Sequence, residues 1–206
     1  MKILVTGFKP FNNRDINPSE MIVNSLDIKD VEIIKLILPF EYKLSEKILI
    51  DTVLKEKVDC ILSIGQAGNV PWISIEEVAI NLDSSLSQDN KHLLKDESGY
   101  GPIDEKIMAN GENAYFSSLP TRKIVDAINK VGVNARLSYS AGTFICNHVM
   151  YIGGYLAKTY NLKQGFIHVP FLKEQLIDNS KGYSMEFEDM KKAIEVAIDV
   201  IIKENR

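Results

Sequence analysis

The sequence predicts an α/β fold built on an open, mostly parallel sheet with helices on both faces. Apolar, strand-like runs at residues 2–6, 31–38 and 58–64 alternate with segments of helical spacing. Several of these runs stop at glycine or turn residues, and in such folds sites lie at the carboxyl ends of strands. A length of 206 residues supports a single domain with a substantial core.

Residues 2–6 read as a buried strand that stops at Gly7, and 18–26 as a short helix after the turn-prone Asn12-Asn13 and Asn17-Pro18. Residues 31–38 form a second strand. Residues 42–57 place Leu44, Ile48, Leu49, Val53 and Leu54 at near-helical spacing. Strand 58–64 ends at Gly65-Gln66-Ala67-Gly68, and 73–81 is a further strand. Residues 84–111 are polar and aperiodic, which predicts a long functional loop or lid. A helix over 120–130, a strand over 133–140, a helix over 144–159 and a short strand over 165–169 follow. The amphipathic pattern Met190, Ala193, Ile194, Ala197, Ile198, Ile201 predicts a closing helix over 186–203. This order brings Gly7, Gly65, the Ala141-Gly142 turn and His168 to strand ends on one shared edge.

A balance of 24 basic against 28 acidic residues, a formal net charge of −4, argues against a broad nucleic-acid surface. Residues 1–7 carry a short apolar run, too short for a signal-peptide core, and no stretch reaches the roughly 20 apolar residues of a membrane span. The expectation is a soluble, cytoplasmic protein. Two cysteines with no CxxC spacing speak against a disulfide scaffold or a zinc site, so no metal is expected.

The chemistry concentrates in Ser140-Ala141-Gly142-Thr143-Phe144-Ile145-Cys146-Asn147 and Gly165-Phe166-Ile167-His168-Val169-Pro170. Cys146 follows a Gly-Thr turn at the predicted start of a helix, where unsatisfied N–H groups and the helix dipole favour a thiolate and offer an oxyanion site. His168 ends an apolar strand and is placed to act as a general base and acid. A buried cysteine or histidine also packs well in a core. Cys60, within a strand, reads that way. His148 lies two residues past Cys146 and points elsewhere on a helix, and His92 falls in the polar loop. A third group should orient the imidazole, and Glu76, Glu77, Asp83, Asp89 and Asp178 all remain open. Phe8 and Phe11 either cap the core or wall a small apolar slot. Gly65-Gln66-Ala67-Gly68 lacks the spacing of a phosphate loop.

The chain resembles the pyroglutamyl peptidase I (pyrrolidone-carboxylate peptidase) family of cysteine peptidases. Beyond the two segments above, the resemblance rests on Thr6-Gly7-Phe8-Lys9-Pro10-Phe11, Asn17-Pro18-Ser19, Gly65-Gln66-Ala67-Gly68, Glu76-Glu77-Val78-Ala79-Ile80-Asn81 and Tyr115-Phe116-Ser117-Ser118-Leu119-Pro120. It implies a three-layer α/β/α sandwich that removes an N-terminal pyroglutamyl residue from small peptides. By motif, Cys146 is the nucleophile, His168 the base and acid, and Glu76 the orienting carboxylate. It further implies a cytoplasmic enzyme without a cofactor, often a homotetramer. The substrate needs an apolar slot with donors and acceptors for a lactam, for which Phe8, Phe11, Phe144 and Ile145 offer walls and the backbone near Gln66 offers polar contacts.

The chain departs from the family's usual pattern at several places. Asn12-Asn13 stand where Gly-Gly is usual, Asn69-Val70 where Gly-Arg is usual, Glu77 where an arginine is usual, and Leu86 where another arginine is usual. A lost arginine weakens binding or transition-state stabilisation, and Glu77 beside Glu76 adds like charge that raises a carboxylate pKa. A binding protein using the same slot, and a nucleoside phosphorylase-like transferase, are the alternative readings of this pattern.

Overall fold

Strand alternation divides the apolar residues between two cores. In strand β1 (Lys2–Phe8), Ile3 and Val5 join one core and Leu4 the other; in β3 (Cys60–Gln66), Leu62 and Ile64 are separated from Ile61 in the same way. A sheet buried on both faces must be covered on both. In the computed structural model, which describes residues 1–12, 14–29, 31–68, 70–86, 92–176 and 182–205, five helices provide that cover. Helices α1 (Pro18–Ser25), α3 (Thr121–Lys130) and α5 (Phe187–Lys203) pack on one face, and α2 (Tyr42–Glu56) and α4 (Ile145–Tyr160) on the other. The predicted α/β/α sandwich is the architecture observed.

The remaining strands are β2 (Glu32–Leu38), β4 (Ile73–Glu76), β5 (Val78–Ile80), β6 (Ala114–Phe116), β7 (Ala135–Ser138) and β8 (Lys163–Val169). The main sheet runs β2-β1-β3-β8-β4-β7, and each adjacent pair is parallel except β8–β4. The mostly parallel character is as expected, with one consequence that sequence order hides. Strands β4 and β7 run against the other four, so β7 does not end on the edge reached by β1, β3 and β8. Ser138 pairs with Glu76, which pairs with Phe166, two residues short of His168. The Ala141-Gly142 turn is therefore not a carboxyl-end loop of the parallel set. It belongs to a return segment that carries the chain to the start of α4, with Gly142 at φ +79°, where a side chain is disfavoured.

The expected strand over 73–81 is two strands. The chain breaks at Glu77, and β5 leaves the main sheet to pair antiparallel with β6, against α4. Helix α1 begins as its sequence predicts, with the Asn17 side chain accepting from the Ser19 N–H and Pro18 in the first turn. All six apolar positions predicted for the last helix are buried in α5. Among the described residues no helix is long and apolar enough to cross a membrane.

The described part of residues 84–111 holds no helix or strand, as expected, yet it is fastened in place. Asp96 is buried; its Oδ2 accepts the N–H of Tyr42 at the start of α2, and its Oδ1 accepts from Ser98 and Tyr100. Glu97 and Leu94 add backbone bonds to Phe40 and Ser85. The segment is an anchored wall, not a free flap.

Candidate active site

Helix α4 delivers Cys146 to the sheet. The helix starts at Ile145, and its first intrahelical bond runs from the His148 N–H to the Phe144 carbonyl at 3.1 Å. The N–H groups of residues 145–147 precede that bond and have no acceptor within the helix. The start of α4 is held from both sides. Asn147 accepts from the Ile80 N–H and donates to the carbonyls of Ile80 and Leu82. Thr143 exchanges bonds with Ser84 through its backbone carbonyl and its hydroxyl.

Below it, alternation along β8 sends Phe166 and His168 toward α4 and Ile167 and Val169 toward the opposite core. Gly65 sits opposite His168 on β3. A Cβ at Gly65 would lie 2.7 Å from the Phe166 ring and 3.1 Å from Cys146 Sγ, so the missing side chain is the space the sulfur uses. Cys146 is half-buried and a free thiol.

Strand β4 supplies the carboxylate. Ile73 and Ile75 enter the far core, which turns Glu76 to the His168 side. Glu76 Oε1 accepts from His168 Nδ1 at 2.9 Å, which fixes the ring and leaves Nε2 for the sulfur. Burial, the largest influence, pulls the His168 pKa down. The charge of the Cys146 sulfur, its hydrogen bond, and Glu76 together overcome this and push it up to about 10. The other oxygen of Glu76, Oε2, is buried with no hydrogen-bond partner among the described residues.

Cys146 opens into a cavity of about 220 Å³. Sites for drug-sized ligands span roughly 300–1,000 Å³, so this one suits a smaller group. Phe11, Phe40, Tyr42, Phe144 and Ile145 form apolar walls, with Phe11 and Phe40 stacked at 4.1 Å between ring centroids. Gln66, Asn12, Ser85, Lys95 and Asp96 supply the polar part. The Asp96 oxygens are already engaged with backbone and Ser98, as described above.

Of the residues singled out in the sequence, Cys146, His168 and Glu76 come together, and Phe11, Gln66, Phe144 and Ile145 line the cavity beside them. Phe8 does not join them: it is 2% exposed, in the core under α2 and α4, and is absent from the cavity lining. Glu77 is turned away from Glu76 and accepts from Thr121 Oγ1 at 2.7 Å on the opposite face, so the like charges do not share a site. Asp83 serves His148, not His168. Leu86 bridges to Leu93 and lies off the cavity, whereas Asn12 lines it at φ +54°, a left-handed conformation that asparagine tolerates best after glycine. Half-buried Val70 is also off the cavity lining. Asp89 and Asp178, with Asn13, Asn69 and residues 87–90, lie outside the described residues. Phe40, Tyr42, Ser85 and Asp96 were not foreseen. The tandem Pro39-Phe40 ahead of α2 was the available signal, at the end of a strand next to the first one.

Behind the cavity wall, His148 is fully buried between two carboxylates. Nδ1 is 2.6 Å from Asp83 Oδ2, and Nε2 is 3.4 Å from Glu46 Oε2, an ion-pair distance without hydrogen-bond geometry. Burial pulls the His148 pKa down, but the two carboxylates win and raise it. Glu46 is lowered by His148, while burial raises Asp83. The raised imidazole contributes stability fully present below its ordinary value of 6.5 and lost as pH rises through its folded value. His148→Leu strands two acids, and we expect it to cost about 3 kcal/mol in urea unfolding at pH 6, with a smaller gap at pH 10. A gap that widens at high pH would contradict the pairing.

Comparison with known proteins decides the family. The family model for pyroglutamyl peptidase matches residues 1–204. The chain belongs to the pyroglutamyl peptidase family of cysteine peptidases. It is 45% identical over 202 residues to the pyrrolidone-carboxylate peptidase of Brachyspira hyodysenteriae, covering 96% of this chain and 97% of that one. A mutant pyrrolidone carboxyl peptidase from the hyperthermophile Pyrococcus furiosus superposes with a TM-score of 0.91 at 36% identity, covering 99% of each chain. Pyroglutamyl peptidase I from Bacillus amyloliquefaciens gives 0.89 at 33% identity, covering 97% of this chain and 94% of the other. Within this family the chain's departures at Asn12 and Glu77 sit in places the structure accommodates, as given above.

Proposed function

We propose that this pyroglutamyl peptidase family member releases N-terminal pyroglutamate from small peptides through a thioester on Cys146. The observation that carries the reading is the alignment of Cys146, His168 and Glu76, with Cys146 lining a small apolar cavity. Pyroglutamate has no α-ammonium, and the one carboxylate among the described lining residues is already occupied by N–H and O–H donors. An uncharged five-membered ring fits such a slot better than an amino-terminal ammonium.

Catalysis then follows from the geometry. The proton shared by the pair resides on the imidazole, and the sulfur attacks the scissile carbonyl. The carbonyl electrons move onto oxygen, beside the N–H groups that open α4. As the tetrahedral species collapses, His168 protonates the leaving amine and the C–N bond breaks, leaving the thioester. Water, deprotonated by His168, then attacks the thioester and returns the thiol. Glu76 holds the ring in the tautomer these transfers need. Hydrolysis of pyroglutamyl-aminomethylcoumarin tests the reading, and a folded protein that leaves this compound intact refutes it.

We further propose a single-domain cytoplasmic enzyme, where a free nucleophilic thiol persists, and a homo-oligomer of the kind the family resemblance implies. Light scattering that gives a monomer at micromolar concentration removes the oligomer.

A further inference from the structure

We propose that Asn147 is a positioning residue for the nucleophile: its side chain fixes the rotation of the first turn of α4, and through it the approach of Cys146 to His168. The proposal rests on the reading of Cys146 as the nucleophile and adds the group that aims it.

Successive residues on a helix point about 100° apart. Cys146, Asn147 and His148 therefore face three different walls. Cys146 meets Gly65 on β3, Asn147 meets β5, and His148 meets Asp83. In the β5–β6 ladder Asn81 donates to the Asn113 carbonyl, and alternation turns the N–H and C=O of Ile80 away from β6. Asn147 takes both, as a neighbouring strand would. Its Oδ1 accepts the Ile80 N–H at 2.9 Å, and its Nδ2 donates to the Ile80 and Leu82 carbonyls, each at 2.9 Å. The first partner only donates and the other two only accept, so the amide has one orientation. Reversing it breaks all three bonds. Asn147 is 1% exposed, so water offers these groups no replacement.

Apolar packing is not directional, so it sets the rotation of a helix less tightly than three oriented bonds do. The reaction is sensitive to that rotation. An atom about 5 Å from the helix axis moves about 1 Å for a turn of about 10°. A misplacement of that size costs about 10²-fold in rate. The segment that Asn147 grips runs back through β5 and Glu77 to Glu76. One amide thus ties the helix of the nucleophile to the chain that carries the carboxylate behind His168. Asn81, on the same segment, provides a contrast. It is buried and exchanges two bonds with the Met108 backbone, and neither reaches α4.

The test reads the sulfur directly. Ultraviolet absorbance of the thiolate, lost on alkylation, reports the pairing of Cys146 with His168, and the pH profile of iodoacetamide alkylation reports its strength. Cys60 does not interfere, because burial pushes its thiol up to about 12. Asn147→Ala removes all three bonds. Asn147→Ser keeps a hydroxyl too short to span the Ile80 N–H and C=O together. Each should lose most of the thiolate absorbance and move the alkylation profile up toward the ordinary thiol value of about 8.5. Each should also lower kcat/KM for pyroglutamyl-aminomethylcoumarin about 100-fold. Asn81→Ala should lower the urea midpoint comparably and leave absorbance and profile unchanged. A folded Asn147 variant with the wild-type absorbance and profile overturns the proposal, as does an Asn81→Ala form that loses them equally. If neither Asn147 variant folds, hydrogen exchange at the Ile80 amide of the wild type decides. Exchange only through global unfolding supports the clamp, and rapid local opening overturns it. A wild type without the thiolate signal also overturns it; one with the signal but without pyroglutamyl turnover refutes the functional reading instead.

Discussion

Cys146→Ser should lower kcat/KM for pyroglutamyl-aminomethylcoumarin by about 10⁴-fold or more while the protein keeps its fold. Oxygen is close to sulfur in size, and the site asks little of the side chain structurally: it is half-buried and occupies the gap left by Gly65. What changes is reactivity. A serine hydroxyl holds its proton far more tightly than a thiol, so it neither donates to His168 in the resting state nor attacks as an anion. The substitution carries a second signature. The charge of the Cys146 sulfur is the first of the influences that raise the His168 pKa to about 10, against the opposing pull of burial. Without it, the imidazole should titrate at lower pH, visible by NMR of the ring protons. A pyroglutamyl aldehyde should add to the wild-type sulfur as a thiohemiacetal and not to the variant. Undiminished turnover by the serine form, or an adduct mapped to Cys60, would remove Cys146 from the mechanism.

The parts of this molecule that were legible in its sequence are those set by local periodicity or by a compact motif. Strands β1, β2 and β3 announce themselves as apolar runs, and α5 as a stripe of six apolar residues. His148 could be set aside because two residues on a helix do not share a face, and it indeed turns from the sulfur to Asp83 and Glu46. Pairing partners were not legible. Nothing in the four residues of β4 tells that it lies antiparallel to β8, or that Glu77 ends its membership of the sheet. Strand β6 is three residues long and exists because β5 is beside it. The choice of Glu76 among five acids is a matter of which face β4 presents, and composition is silent on that; the family motif supplied it. Phe8 misled because an aromatic just after a first strand reads equally as cap or wall. The cavity instead recruits Phe40 and Tyr42 from the neighbouring strand end and helix start, and Gln66 bonds to Gln175, 109 residues away.

Glu76→Gln should separate activity from stability. Glutamine has the shape of glutamate, but its NH2 can face Nδ1 and hold the imidazole in the wrong tautomer, with the proton on Nε2. A loss of about 10³-fold in kcat is expected, with KM little changed, because the group acts on proton transfer and not on ring binding. Stability should fall only modestly at neutral pH, because the imidazolium loses a partner while the removal of a buried charge offsets part of that loss. Glu76 is a buried carboxylate with one oxygen unpartnered, and removing its charge relieves a desolvation cost. The pH profile gives the sign. In the wild type the alkaline limb of kcat/KM should fall near pH 10, where His168 loses the proton it must give to the leaving amine. The same raised pKa contributes stability that is complete below 6.5 and lost as pH rises through about 10. Glu76 is one of the groups that hold this pKa up, so the glutamine form should move the limb to lower pH. A variant with full activity and an unmoved limb would show that His168 is oriented by something other than Glu76, and the carboxylate would then be only a buried neighbour.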